Sequence, residues 1–220
     1  MKRQPVWFFD LDGTLHDASH AIFAAIDTRM TDYVVKHVRV DREQANQLRL
    51  TYWRRYGATL LGLLKHHAID PHHFLRETHD FDVASLLRAE RGLARLFGRL
   101  PGRKVLLTNA PLAYANSVLA GIGLQRQFGA RYSIESMRVH GTFRPKPSRA
   151  MLRHMLARER VPRGAAILVE DSRANLRAAR AAGYRTVLIQ PGRARGRAPY
   201  VGLRVPTVRD LPRARARLRD

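Results

Sequence analysis

Cysteine is absent from this 220-residue chain, which excludes disulfides, a thiol nucleophile and any thiolate-held metal. Lysine is scarce too. Of the 40 Lys and Arg residues only five are lysine, at positions 2, 36, 65, 104 and 146. Acid is thin against that background, 18 Asp and Glu, so the formal net charge is +22. Such a field draws anions such as nucleotides, phosphates or nucleic acid. An arginine bias also arises from genome composition, so charge alone names no ligand. No apolar run approaches the roughly 18 residues of a membrane span. The opening MKRQPVWFFDLDGTL meets Asp10 and Asp12 before a secretory core could form. A cytoplasmic protein with no membrane partner is the expectation. In residues 191–220, which hold nine arginines, Tyr200 is the single aromatic that could stack a base. That stretch reads as a solvated loop and frayed terminus, leaving nucleic acid only nonspecific contact with a basic surface.

What the chain does have is a 45% hydrophobic fraction, enough for a packed domain with an insertion. Residues 5–9, Pro-Val-Trp-Phe-Phe, read as a strand buried on both faces and ending in a polar loop. From Asp17 to about Arg99 the pattern turns helical: Ala21, Ile22, Ala25 and Ile26 share a stripe, and Asp41 can cap a helix through Gln44. A further helix is expected from Asp82 toward Phe97. After Pro101-Gly102, strands are expected at 104–108, 132–134, 166–169 and 186–190. Helices are expected at 111–120, 148–160 and 172–182, with a loop over 141–147. This alternation predicts an α/β fold: a Rossmann-like parallel sheet with helices on both faces and an inserted α-helical cap. Residues 1–16 and 100–220 form the expected core and 17–99 the cap.

Four polar clusters fall at the carboxyl ends of these strands: Asp10/Asp12, Thr108/Asn109, Lys146 after its loop, and Glu170/Asp171. That edge is where open α/β sheets bind ligands. Acid pairs placed directly after apolar strands need a compensating cation, and two such pairs make an oxygen-rich site suited to Mg²⁺. Asp10 is the candidate carboxylate nucleophile for phosphoryl transfer, and Asp12 the candidate acid and base. Thr108, Asn109 and Lys146 are candidates for holding phosphate oxygens. Gly13 allows a tight turn, and Thr14 is expected to hydrogen-bond within that loop.

The ordered motifs DLDGTL (10–15), TN (108–109), Lys146 in FRPKP and EDS (170–172) resemble the haloacid dehalogenase-like hydrolase superfamily. Their spacing resembles its type with a helical cap inserted after the first strand. The resemblance implies a nucleophile at Asp10, an acid/base at Asp12, and a lysine at 146 bridging nucleophile and phosphate. It also implies a magnesium shell from the carboxylates of Asp10 and Asp171, the Asp12 carbonyl and the Glu170 position. The stretches FFDLDGTLHDAS, YWRRYG (52–57), LLTNAP and EDSRANLRAAR look like the pyrimidine 5′-nucleotidase group. That likeness implies a small phosphorylated substrate, a pyrimidine nucleoside 5′-monophosphate; a monomer or homodimer is expected. A broad sugar- or metabolite-phosphate phosphatase, a phosphomutase and, more distantly, a basic RNA-associated protein stay open.

In the helical block, Tyr52, Arg55 and Tyr56 lie near one helical side, where aromatics with an arginine can read a base. The alternative is that the tyrosines pack the helix. His16 is expected to be solvated in its loop. The histidines at 66, 67, 72, 73 and 79 are expected in exposed or capping roles rather than in a zinc site, because adjacent doublets point apart on a helix.

Overall fold

The computed structural model describes residues 4–18, 21–87, 92–192 and 198–218. The chain divides into two compact units, Met1–Asp17 with Leu87–Asp220, and Ala18–Leu86. The second unit is shorter than the 17–99 read from the sequence. The helical signal near Phe97 belongs to the first unit, where its ring packs 5.0 Å from Phe9 and 6.0 Å from Phe128.

Along the chain, β1 (Val6–Phe9) is followed by α1 (Ile22–Val38), α2 (Arg42–Tyr56), α3 (Thr59–His66), α4 (Pro71–His79) and the single turn α5 (Val83–Leu86). Then come α6 (Leu93–Gly98), β2 (Arg103–Leu107), α7 (Leu112–Gly121), β3 (Ala130–Tyr132), β4 (Arg138–Val139) and β5 (Thr142–Phe143). The rest is α8 (Arg149–Arg158), β6 (Ala166–Glu170), α9 (Arg173–Ala182), β7 (Arg185–Ile189), β8 (Leu203–Val205) and α10 (Leu211–Ala214). The expected helix from Asp82 to Phe97 is two short pieces, and residues 88–91 between them lie outside the described residues.

In the first unit six strands pair in parallel in the order β3-β2-β1-β6-β7-β8. The strand order reverses beside β1, so β1 and β6 flank the crevice in which such sheets bind ligands. The fold is therefore the α/β, Rossmann-like sheet expected. Alternation along β1 sends Phe8 to one face and Trp7 and Phe9 to the other. Phe8 joins a core with Met151, Leu152 and Met155 of α8 and Leu176 and Ala179 of α9. Phe9 meets Phe97 of α6 and Phe128. Ser172 caps α9 by accepting from Asn175 N, and Gly183 ends it at φ 102°, a left-handed stop that glycine adopts without strain.

The stretch read as a loop over 141–147 begins inside a hairpin, β4–β5, whose turn residues His140 and Gly141 have φ of 50° and 76°. Consecutive positive φ values make the tight turn that suits strand twist. The segment after β7 also departs from the solvated terminus expected. Leu203–Val205 extends the sheet, Thr207 and Asp210 form a capping box, and Leu211 is buried. Arg185 donates to the Leu218 carbonyl at 2.6 Å. Arg193, Arg195, Arg197 and Arg219 lie outside the described residues. Both outer strands are three residues long with a central arginine, Arg131 in β3 and Arg204 in β8.

The second unit is built on α1 to α4. Asp41 caps α2 by accepting from Gln44 N at 2.8 Å, as its spacing predicts, and Gly57 closes that helix at φ 84°. A Cβ on Gly62 of α3 would stand 2.1 Å from the Tyr52 ring, so only glycine lets α3 approach α2 this closely. Among the described residues no helix is long and apolar enough to cross a membrane.

Candidate active site

The site grows from the ends of β1, β2 and β6. Asp10 follows β1, with its amide donating to Val169 O at 3.0 Å, and Glu170 ends β6 beside it. Lys146 enters from the loop after β5. Its backbone is fixed by Asn109, whose side-chain nitrogen donates to Lys146 O while its oxygen accepts from Lys146 N, both at 2.9 Å. That double contact lays the lysine side chain along the buried edge. Its ammonium donates to Asp10 Oδ1 at 2.7 Å and Glu170 Oε2 at 2.8 Å.

Glu170 is fully buried and fully engaged, accepting also from Ser172 N and from the Asn175 side chain, both at 3.0 Å. Burial alone would raise its pKa, but Lys146 brings it below the usual range. Burial would likewise lower the pKa of Lys146, and Asp10 and Glu170 reverse that and hold it raised. Asp10 is pushed well above the usual carboxylate range, by burial first and then by Glu170, with Lys146 offsetting part. Asp171, open to solvent on one side, is pushed up to about 7 by lost hydration and by Glu170. Asp10, Glu170 and Asp171 present oxygens within 4.8 Å of one another. Three ionised carboxylates against one ammonium would leave two negative charges uncompensated, and the upward shifts of Asp10 and Asp171 answer that excess as well as burial. An all-oxygen donor set short of two positive charges fits Mg²⁺.

The signature loop folds back on itself. Leu15 N donates to Leu11 O, and Gly13 N to His16 O. Gly13 has φ 74°, and a Cβ there would lie 2.4 Å from Asp171 Oδ2. The loop and the Asp171 carboxylate therefore share space that only glycine leaves free. Asp12 turns its Oδ1 to two donors, the Tyr114 hydroxyl at 2.6 Å and His16 Nε2 at 2.8 Å. His16 is thus buried against Asp12, where the sequence suggested a solvated loop. Thr14 Oγ1, expected to bond within the loop, is buried with no partner among the described residues.

Other candidates settle differently. Thr108 is buried, and its hydroxyl oxygen accepts from Ala110 N at 3.0 Å, which leaves its O–H to donate to a ligand. The Asn109 side chain is taken up by Lys146. Tyr52 is buried with its hydroxyl 2.9 Å from His67 Nε2, and Tyr56 pairs with His66 at 2.6 Å. Arg55 is exposed, its guanidinium 5.6 Å from the Tyr56 ring. Tyr114 escaped the sequence reading. It lies six residues past Thr108 on an apolar helix face and shows no local pattern that marks it as polar.

The sequence model for haloacid dehalogenase-like hydrolases matches residues 6–183. The chain is a haloacid dehalogenase-like hydrolase. Solved structures of similar fold include the CbbY protein of Rhodobacter sphaeroides in complex with phosphate, at 20% identity and TM-score 0.63, covering 95% of this chain and 96% of that one. A HAD phosphatase from Thermococcus onnurineus is 17% identical with TM-score 0.63, covering 99% and 100%. An L-2-haloacid dehalogenase from Xanthobacter autotrophicus is 17% identical with TM-score 0.60, covering 97% and 99%. At these identities the likeness shows the hydrolase fold alone.

Proposed function

We propose that this hydrolase is a phosphomonoesterase that works through an aspartyl-phosphate on Asp10. The observation that carries the reading is the fixing of Asp12 Oδ1 by Tyr114 and His16. An ester oxygen must be protonated as it leaves, whereas a halide leaves as a stable anion. A carboxyl group held by two donors beside the nucleophile therefore favours ester cleavage over dehalogenation. Tyr114, its pKa raised by burial and by Asp12, stays a donor. With Oδ1 engaged, Oδ2 of Asp12 is the oxygen left to carry the proton.

In the proposed reaction an Asp10 oxygen attacks phosphorus in line, and the bond from phosphorus to the ester oxygen breaks. Asp12 gives its proton to that oxygen. Asp12 then takes a proton from water, which attacks the aspartyl-phosphate and releases phosphate with Asp10 restored. Lys146 and the Thr108 hydroxyl steady phosphate oxygens. Glu170 and Asn109 act on Lys146 rather than on substrate. Asp10 and Asp171, with Glu170 behind them, would hold Mg²⁺, which supplies neutralisation of the charge between nucleophile and phosphate.

A small phosphorylated metabolite is the proposed substrate, foremost a pyrimidine nucleoside 5′-monophosphate, in a cytoplasmic monomer or homodimer. Arg55 and Tyr56 are the proposed residues for the base, since Tyr52 is buried with its hydroxyl on His67. Sugar phosphates and phosphomutase substrates are the competing class, since they would meet the same Asp10 and Asp12. Phosphate release from UMP, a sugar phosphate and p-nitrophenyl phosphate, beside halide release from a 2-haloacid, tests the reading. We expect phosphate release only, and Asp12→Asn to slow UMP about 10²–10⁴-fold but p-nitrophenyl phosphate less. Halide release without phosphate release would overturn it, and equal losses on both esters would remove Asp12 as general acid.

A further inference from the structure

We propose that the helical unit binds a divalent transition-metal ion, with Zn²⁺ the type, through His37, His73 and Glu77. His37 lies in the last turn of α1, and His73 and Glu77 stand one turn apart on α4. His73 Nε2 is 3.3 Å from Glu77 Oε1, and His37 Nε2 is 3.4 Å from Glu77 Oε2. The three residues each offer a donor atom within 4.8 Å of the others. Metal bonds of about 2.0–2.1 Å at tetrahedral angles set neighbouring donors roughly 3.3 Å apart. The two observed spacings run to different oxygens of Glu77, and each is close to that value before any ion enters.

The imidazoles are held in place by Tyr33, which is 3% exposed. Its ring stacks on His37 at 4.2 Å and 30°, and its hydroxyl lies 3.1 Å from His73 Nδ1. That hydroxyl fixes the far nitrogen of His73 and leaves Nε2 toward Glu77, as outer partners of ligating histidines do. The two imidazoles stand at 82° with centroids 5.2 Å apart, so they converge on Glu77 rather than stack. The neighbouring His72 is exposed. The partner of His73 comes from another helix, which local spacing does not reveal.

Two nitrogens and a carboxylate suit Zn²⁺, Co²⁺ or Ni²⁺ rather than Mg²⁺, which favours oxygen donors. Lys36 is the competitor, with its ammonium 3.1 Å from Glu77 Oε1 and its side chain 65% exposed. An exposed pair of this kind is weak, and the lysine can swing into water as an ion enters. The bound ion would tie the end of α1 to α4, with one coordination position left for water.

The test titrates the full-length chain with Co²⁺ in excess Mg²⁺, which fills the oxygen site. We expect one equivalent to bind with the strong visible absorption of a four- or five-coordinate centre, and Zn²⁺ to displace it. Glu77→Gln, which keeps the side chain's shape, and His37→Ala should each weaken binding at least about tenfold. Lys36→Ala should bind as tightly or more so. No visible absorption, or unchanged affinity in both Glu77→Gln and His37→Ala with their circular dichroism intact, would overturn the proposal.

Discussion

Two clusters in this hydrolase present three convergent ligand groups each, and they differ in how their positive charge is held. At the sheet edge, Asp10, Glu170 and Asp171 face Lys146, whose side chain is 1% exposed and bonded to two carboxylates. On the helical unit, His37, His73 and Glu77 face Lys36, exposed at 65%. A buried ammonium cannot leave, so the carboxylates around it are part of the fold as well as the chemistry. An exposed one exchanges with water, and its cluster should be dispensable to folding. The contrast predicts opposite responses to the same kinds of substitution.

The largest effect should follow Asp10→Asn, which removes the proposed nucleophilic oxygen. Turnover should fall by more than about a thousandfold, since covalent catalysis carries much of such an acceleration. Glu170 still pairs with Lys146 in that variant, so melting of the folded protein should change little, and retention of a tenth of wild-type kcat would exclude the role. Next, Lys146→Met should destabilise the chain by about 3–5 kcal/mol, because it leaves Asp10 and Glu170 buried without their cation. Denaturant titration measures this. A loss within 1 kcal/mol (roughly the value of an exposed pair) would erase the contrast.

A smaller effect concerns pH. The Asp171 carboxyl is pushed from an ordinary 3.8 to about 7 in the fold, so the folded state holds that proton more tightly than the unfolded chain. Its contribution is therefore present at low pH and is lost as pH rises from about 4 through 7. Mg²⁺ should offset the loss, so the rise in Tm on adding it should be larger at pH 8 than at pH 5. An equal rise at both would separate metal binding from these carboxylates. The smallest effect belongs to Glu77→Gln without added metal, where half-exposed pairs should cost no more than about 1 kcal/mol. A loss as large as that of Lys146→Met would show the helical cluster to be equally structural.

The fold and the sheet-edge cluster were legible because each depends on local pattern. Apolar strands broken by Asp10, Thr108 and Glu170 mark where the sheet ends, and the order of motifs places the same groups together. What escaped depends on contacts between distant segments. Tyr114 reaches Asp12 across 102 positions, and His37 and Glu77 meet across 40. Asn109 reads as a phosphate ligand until its amide is seen clasping the Lys146 backbone. The β8 strand was hidden by the arginines around it. Only three residues, Leu203, Arg204 and Val205, pair with β7, too few to show alternation.

The arginines centred in the two outer strands bear on how open the sheet edges are to another chain. A sheet edge is a ready template for another chain, and aggregation starts where a long flat edge is left open. Here each outer strand offers three residues, and its central arginine is anchored sideways: Arg131 on Asn116 Oδ1 and Gln125 O, Arg204 on Gly192 O. Pro206 follows β8 at once and lacks the amide needed to lengthen the ladder. A second copy approaching edge to edge would meet fixed positive charge opposite its own. The arginine surplus, uninformative about ligands, would at these two positions disfavour fibrous self-assembly.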